Sequence, residues 1–189
     1  MPNDSDALKQ IARNTPWFHT ALCAVRELKL DAWCIGAGAV RNLVWDALHG
    51  HVFPSPLADI DVAFFDASCL DSARDTALER QLRCLMPDMP WEVTNQASVH
   101  HWFEAHFGHA VPPLNSLEEA VGSWPEFATA VGVTLRDDDT IDVIAPHGLS
   151  DLFQMIVRRN PARVSLDSYR QRIAQKQYAT YWPNVTIIP

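Results

Sequence analysis

The sequence predicts a fold of the α+β or mixed α/β class, a small mixed sheet flanked by helices, and three observations carry that prediction. Between Trp33 and Phe65 a short apolar strand, a glycine turn, a helix and a second strand follow one another. Val131 to Leu135 and Thr140 to Ile144 flank Arg136-Asp137-Asp138-Asp139 and read as a hairpin. Both ends of the chain carry apolar residues at helical intervals. The 189 residues, 48% of them hydrophobic, are enough for a substantial core in one domain. We expect packing helices in 1–30, a sheet core carrying the chemistry in 31–145 and C-terminal helices in 146–189.

The elements follow in order. Asn3 to Asp6 is an acidic cap for a short first helix, and Thr15-Pro16 is the cap and first position of a second, lined by Phe18, Leu22, Val25 and Leu28. Ala32 to Ile35 is a strand ending at Gly36-Ala37-Gly38, after which Val40, Leu43, Val44 and Leu48 repeat as a helix. Gly50 and Pro54-x-Pro56 stop it. Ala58 to Phe65 is a strand, Ser72 to Leu85 a helix closed by Pro87 and Pro90, and Trp91 to Thr94 a third strand. A Trp/His-rich helical stretch and the capping box Ser116-Leu117-Glu118-Glu119 precede the hairpin. Leu149 to Val157 and Leu166 to Tyr178 read as helices, with the tail from Trp182 lying against the body.

Charge and cysteine content narrow the function. A formal charge of −8 opposes binding to long nucleic acid, which depends on Lys and Arg displacing counterions. Cys23, Cys34, Cys69 and Cys84 form no C-x-x-C pair and read as buried thiols in a reducing cytoplasm. The N-terminal residues lack the basic start and apolar run of a signal peptide, and no segment is long enough to span a bilayer.

The chemistry concentrates between Gly36 and Glu92. Side chains two apart on a strand share a face, so Asp59 and Asp61 project together while Ile60, Val62 and Phe64 face a core. Two carboxylates so placed repel each other, and a hard divalent cation, Mg²⁺ or Mn²⁺, relieves the repulsion while leaving coordination for phosphate oxygens. Upstream, Gly36 and Gly38 let backbone N–H groups at a helix N-terminus approach a phosphate, and Arg41 adds a positive charge one turn in. A dinucleotide site competes, since Asp59 stands near the distance of a ribose-binding acid. Arg41 occupies the place of that fingerprint's third small residue, and the acids begin their strand where the dinucleotide acid ends one. Glu92, on the polar face of Trp91-Glu92-Val93-Thr94, can join the aspartates if the strands are neighbours; three carboxylates can hold two ions. Asp142, inside the hairpin, is its rival.

These residues resemble the nucleotidyltransferase superfamily of DNA polymerase β, whose signature is a glycine turn opening a helix, Asp-x-Asp on the next strand and a third acid on a later one. The blocks "GAGAVRNLVWD", "DIDVAFFD", "WEVTNQASVHHWF", "AVGVTL" and "IDVIAPHGLSDLF" are similar to a small bacterial family of nucleotidyltransferase-like proteins and span most of the chain after about residue 30. The resemblance implies a polymerase-β-like nucleotidyltransferase fold. It places Gly36, Gly38, Ala39 and Arg41 at the triphosphate of a nucleoside triphosphate, Asp59 and Asp61 on Mg²⁺ or Mn²⁺, and Glu92 as third acid. It further implies transfer of a nucleoside monophosphate to an acceptor hydroxyl, with Asn42, Asn95, Gln96 and His100 as substrate contacts, and the negative net charge favours a small molecule or protein as the acceptor. Gly38-Ala39 replaces the usual Gly-Ser, and the turn-to-Asp spacing is longer than usual. An inactive nucleotide-sensing or partner-binding module on the same fold, or a dinucleotide-binding protein, are the alternatives.

Other clusters read as structure. His100, His101, His106 and His109 lack the spacing and cysteines of a structural zinc site. Asp137 to Asp139 reads as a solvated hairpin tip, and Arg158-Arg159 as a basic helix end.

Overall fold

The computed structural model describes residues 3–189. It opens with α1 (Asp4–Asn14), capped by Asn3 Oδ1 accepting from the Asp6 N–H at 2.9 Å, and α2 (Pro16–Arg26), begun by its proline. Then come β1 (Trp33–Gly36), α3 (Ala37–His49), β2 (Ile60–Phe64), α4 (Ser72–Leu85) and β3 (Trp91–Asn95). A 3-10 helix (Gln96–His101), α5 (Phe103–Phe107), α6 (Leu117–Gly122) and a 3-10 turn (Phe127–Thr129) lead to β4 (Gly132–Leu135) and β5 (Ile141–Ile144). The C-terminal part holds α7 (Ser150–Phe153), β6 (Ile156–Val157), α8 (Leu166–Lys176), α9 (Tyr178–Tyr181) and β7 (Thr186–Ile187). Gly50, in the left-handed conformation at φ 67°, ends α3, and Ser116 Oγ accepts from the Glu119 N–H at 3.0 Å as the capping box requires.

The main sheet has the order β3-β2-β1-β4-β5. β1 runs antiparallel to both β2 and β4, β4 to β5, whereas β2 and β3 are parallel and joined by α4. The sheet is therefore mixed, unlike the largely parallel sheet of a doubly wound dinucleotide fold. One face is core: Trp33 and Ile35 of β1, Ile60, Val62 and Phe64 of β2, and Trp91 and Val93 of β3 pack with buried residues of α1, α2 and α3. The alternate residues Cys34 and Ala63 lie on the other face, where Leu117 and Val121 of α6 cover them. Asp61 and Glu92 belong to this second, partly open face.

Several boundaries move. The strand expected over Ala58 to Phe65 begins at Ile60, so Asp59 stands one residue ahead of it. Leu149 to Val157 is not one helix: α7 ends at Phe153, Met155 adopts φ 55°, and residues 156–157 pair with β7 of the tail. A short apolar run fits helix and strand alike, and only the pairing partner decides. Likewise α8 and α9 are separated by Gln177 at φ 47°. Only Cys34 is buried, Cys23 and Cys69 are half-buried and Cys84 is exposed, which corrects the reading of four buried thiols. Apolar sequence neighbours do not fix which face of a helix a residue occupies. Among the described residues no helix is long and apolar enough to cross a membrane.

Candidate active site

The start of β2 is tied to the start of β3 by the Ile60 N–H donating to the Pro90 carbonyl at 2.7 Å, and the parallel register sets Asp61 opposite Glu92. Asp59 Oδ1 lies 3.8 Å from the point where a Cβ on Gly38 would stand, and Arg41 Nη2 lies 3.8 Å from the same point. The beginnings of β2 and β3 and the first turn of α3 thus meet in one place. Burial pushes the Asp61 carboxyl up to about 7, aided by the charges of Asp59 and Glu92 and opposed by Arg172 and Lys176. Glu92 is also raised, by burial and then by Asp59 and Glu79.

This surplus of negative charge is what a divalent cation neutralises. Among the described residues no three His, Cys, Asp or Glu side chains converge tightly enough to hold an ion unaided. Mg²⁺ does not demand that: it takes one or two carboxylates and fills its shell with waters and phosphate oxygens. Asp59 and Asp61 supply hard oxygen donors of the right kind, so the donor set fits Mg²⁺ or Mn²⁺ bound together with a phosphate-bearing substrate.

The glycine turn has a division of labour. A side chain on Gly36 would collide with the Trp124 ring and come within 3.0 Å of the Val131 carbonyl, so this glycine serves close packing. Gly38 has only ordinary contacts and opens toward Asp59 and Arg41. The left-handed residue is neither glycine but Ala37, at φ 50°, whose N–H donates to Val131 O at 3.2 Å. A non-glycine residue held there stores strain. No side chain caps α3, and the first-turn amides of Gly38 and Ala39 have no intrahelical acceptor, which makes a nest for an anion. The Ala39 side chain is buried in the core.

Arg41 is only 5% exposed. Its guanidinium lies 5.6, 5.1 and 5.4 Å from the ring centroids of Trp45, Tyr178 and Trp182, and Nη2 donates to Asn42 Oδ1 at 2.7 Å. Burial lowers its pKa against the opposing charges of Tyr178, Glu126 and Asp59. The cation is therefore set beneath the glycine turn, inside an aromatic box, rather than at an open mouth. Asn42 is itself buried and donates to Pro56 O at 3.3 Å, pinning the loop that leads to Asp59. Asp46, one turn on from Asn42, accepts from Ser55 N–H (2.8 Å), Ser55 Oγ (2.6 Å) and Trp182 Nε1 (2.8 Å), which fixes the same loop.

The remaining candidates separate. Asn95 is buried, and its side chain accepts from the Asp66 and Ala97 N–H groups and donates to the Asp66 and Cys69 carbonyls, so it organises the end of β3. Gln96 starts the 3-10 helix and is half-buried. His100 is half-buried, its ring centroid 4.0 Å from that of His101, with Nδ1 buried and without a hydrogen-bond partner among the described residues. Asp142 lies on β5, at the far side of β1 and β4 from Asp61, and its carboxylate pairs with Arg136 at 2.6 Å. It lies apart from Asp59 and Asp61, whereas Glu92 stands opposite Asp61 in the parallel register. Asp137 and Asp139 of the hairpin tip pair with Lys29 and Arg26 of the α2 end. Arg158 pairs with Asp151, and Arg159 donates to Val164 O. Surface concavities of about 620 and 570 Å³ lie elsewhere and include none of the predicted site residues. Sequence reading missed Glu126, Arg172 and Tyr178, which the 124–130 turn and the C-terminal helices join to Arg41: Arg172 and the Tyr178 hydroxyl share the Glu126 carboxylate, and the Tyr178 ring lies 5.1 Å from the Arg41 guanidinium.

Comparison with known proteins agrees with this geometry. A sequence model of a nucleotidyltransferase family matches residues 23–187. An NMR structure described as a CCA-adding enzyme head domain is 29% identical, with a TM-score of 0.81 over 96% of this chain and 94% of that one. An apo CCA-adding enzyme (13% identical, TM-score 0.56) and a tRNA-processing enzyme (17% identical, TM-score 0.50) share the fold, and the chain spans 45% of each. Among curated proteins none shows a significant match. The acids in register on β2 and β3, the anion nest at α3 and the match over residues 23–187 lead to one conclusion: the chain belongs to a nucleotidyltransferase family.

Proposed function

We propose that this protein is a metal-dependent nucleotidyltransferase that moves a nucleoside monophosphate from a nucleoside triphosphate to a hydroxyl of a small molecule or protein, releasing pyrophosphate. The observation that carries the reading is the juxtaposition of Asp61 and Glu92 in register, with Asp59 and the Gly38 turn beside them. Asp59 and Asp61 would hold Mg²⁺ or Mn²⁺, which when bound polarises the phosphoryl oxygens and lowers the pKa of the attacking hydroxyl. The amides of Gly38 and Ala39 orient the triphosphate, and Arg41 supplies fixed positive potential from below. Glu92, with its raised pKa, accepts the proton of the acceptor hydroxyl. The acceptor oxygen then bonds to the α-phosphorus as the α–β phosphoanhydride bond breaks, and pyrophosphate carries away the electron pair.

The net charge of −8 favours a small or protein acceptor over a long polyanion. The likeness to a CCA-adding enzyme head domain favours a second reading in which the acceptor is an RNA end. A reducing cytoplasmic setting suits the free thiols. The test is incubation of α-labelled ATP, CTP, GTP and UTP with pools of small metabolites, proteins or tRNA, comparing wild type with Asp61→Asn. Metal-dependent label transfer to a small molecule or protein that disappears in Asp61→Asn is expected. Transfer to tRNA alone would select the second reading. Metal-dependent triphosphate binding without transfer to any pool would identify an inactive sensing module and overturn the catalytic reading.

A further inference from the structure

α3 carries the Gly38 turn at its start and, further along, Asn42 and Asp46, four residues apart and therefore on one face. Both side chains reach the segment from His51 to Asp59, which contains neither helix nor strand. No amide of residues 52–59 donates to a backbone carbonyl among the described residues. Val52 and Phe53 are exposed, so apolar packing does not hold this part of the loop either. What holds it is α3.

Asp46 is buried, and one of its oxygens accepts from the Ser55 N–H at 2.8 Å. The other accepts from the Ser55 hydroxyl at 2.6 Å and the Trp182 indole N–H at 2.8 Å, with His51 Nδ1 at 2.9 Å. Ser55 is the only buried residue between His51 and Asp59. Beside it, the Pro56 carbonyl accepts from Asn42 Nδ2 at 3.3 Å. Beyond Asp59 the chain is tied again, where the Ile60 N–H donates to Pro90 O at 2.7 Å. Asp59 therefore hangs between two anchors, Ser55-Pro56 on α3 and Ile60 at the head of β3.

We propose that Asp46 is a positioning residue of the metal site: through Ser55, with Asn42 assisting through Pro56, it sets where the Asp59 carboxylate stands relative to Asp61 and the Gly38 turn. One rigid helix then carries both the amides that meet phosphate and the anchor of the acid that meets the metal. The separation between the two is fixed before substrate arrives, which spares the site the entropy of ordering a ten-residue loop. The inference rests on the nucleotidyl-transfer reading and extends it to a residue that touches neither metal nor substrate.

Calorimetry on the full chain tests it, titrating ATP, CTP, GTP and UTP at a series of free Mg²⁺ concentrations. Asp46→Asn keeps the size of the side chain but puts an NH₂ where one oxygen accepts. It should raise the Mg²⁺ concentration for half-maximal triphosphate binding about tenfold or more, the loss typical of groups that orient a metal ligand. Affinity at saturating Mg²⁺ should stay within about twofold of wild type. Ser55→Ala, which retains the backbone N–H bond, should shift the midpoint about threefold, and it decides the matter if Asp46→Asn does not fold by circular dichroism. Leu8→Ala opens a cavity in the core at α1, lowers stability and should leave the midpoint unchanged. An unshifted midpoint in Ser55→Ala and in folded Asp46→Asn, or an equal shift in Leu8→Ala, would overturn the positioning role while leaving the transferase reading in place. A wild type with no metal-dependent triphosphate binding would overturn both.

Discussion

Replacing Asp61 with asparagine should stabilise the metal-free protein, by an amount that grows with pH. Asp61 is pushed from 3.8 to about 7 by burial and by the charges of Asp59 and Glu92. A carboxyl raised in the folded state binds more protons there than in the unfolded chain, so stability falls as pH rises from about 4 to about 7 and the loss is complete above that window. At 1.36 kcal/mol per pH unit the wild type carries a penalty of at most about 4 kcal/mol at pH 8, about 1.5 kcal/mol at pH 5 and essentially none below about pH 3. Asparagine keeps the shape and never ionises, so it removes the penalty. Urea unfolding of both proteins in chelator at pH 5 and pH 8 measures the gap, with equal m-values confirming that compactness is unchanged. Mg²⁺ with a nucleoside triphosphate should reverse the order, because ligand stabilises only the chain that binds it. Equal stability of the two proteins at both pH values, or a less stable asparagine variant at pH 8, would refute the electrostatic account of the acids.

Four further substitutions have outcomes set by the packing. Gly36→Ala should cost about 2 kcal/mol in urea unfolding, because its methyl group meets the Trp124 ring, and a second change, Trp124→Leu, should recover most of it. Ala37→Gly should raise stability by about 0.5–1 kcal/mol, since glycine accepts the left-handed conformation without strain. Glu126→Gln should cost about 3 kcal/mol by leaving Arg172 unpaired against a buried neutral group, whereas Asp142→Asn, at an exposed pair with Arg136, should cost about 0.5 kcal/mol or less and leave nucleotidyl transfer unchanged.

Much of the site's skeleton was legible in the chain because it depends on local rules. The period of two put Asp61 and Ile60 on opposite faces of β2 whatever lay around them, and the same rule oriented Glu92 on β3. Gly50 stopped α3 and Pro16 started α2 for reasons carried within a few residues. The short segments were less legible. Met155 to Val157 read as helix because three apolar residues satisfy either period, and the partner that makes them strand, β7, lies some thirty residues away. Gly36 and Gly38 looked alike in sequence, yet one is required by Trp124 and the other faces the acids.

The sequence by itself determined the class of fold, the order of elements from α1 to β5 and the polar faces of the strands that carry Asp61 and Glu92, because each follows from backbone geometry and side-chain alternation. Tertiary structure alone decided that Glu92 rather than Asp142 stands beside the aspartates, since a strand's neighbours are fixed by sheet order and not by distance along the chain. It alone decided, too, that Arg41 is sunk in a box of Trp45, Tyr178 and Trp182, and that Tyr178 and Arg172 share the buried Glu126 carboxylate. The contacts of Arg41 with Tyr178 and Trp182 join residues more than a hundred positions apart, and their energies arise from burial and shared charge that exist only once the C-terminal helices have docked on α3.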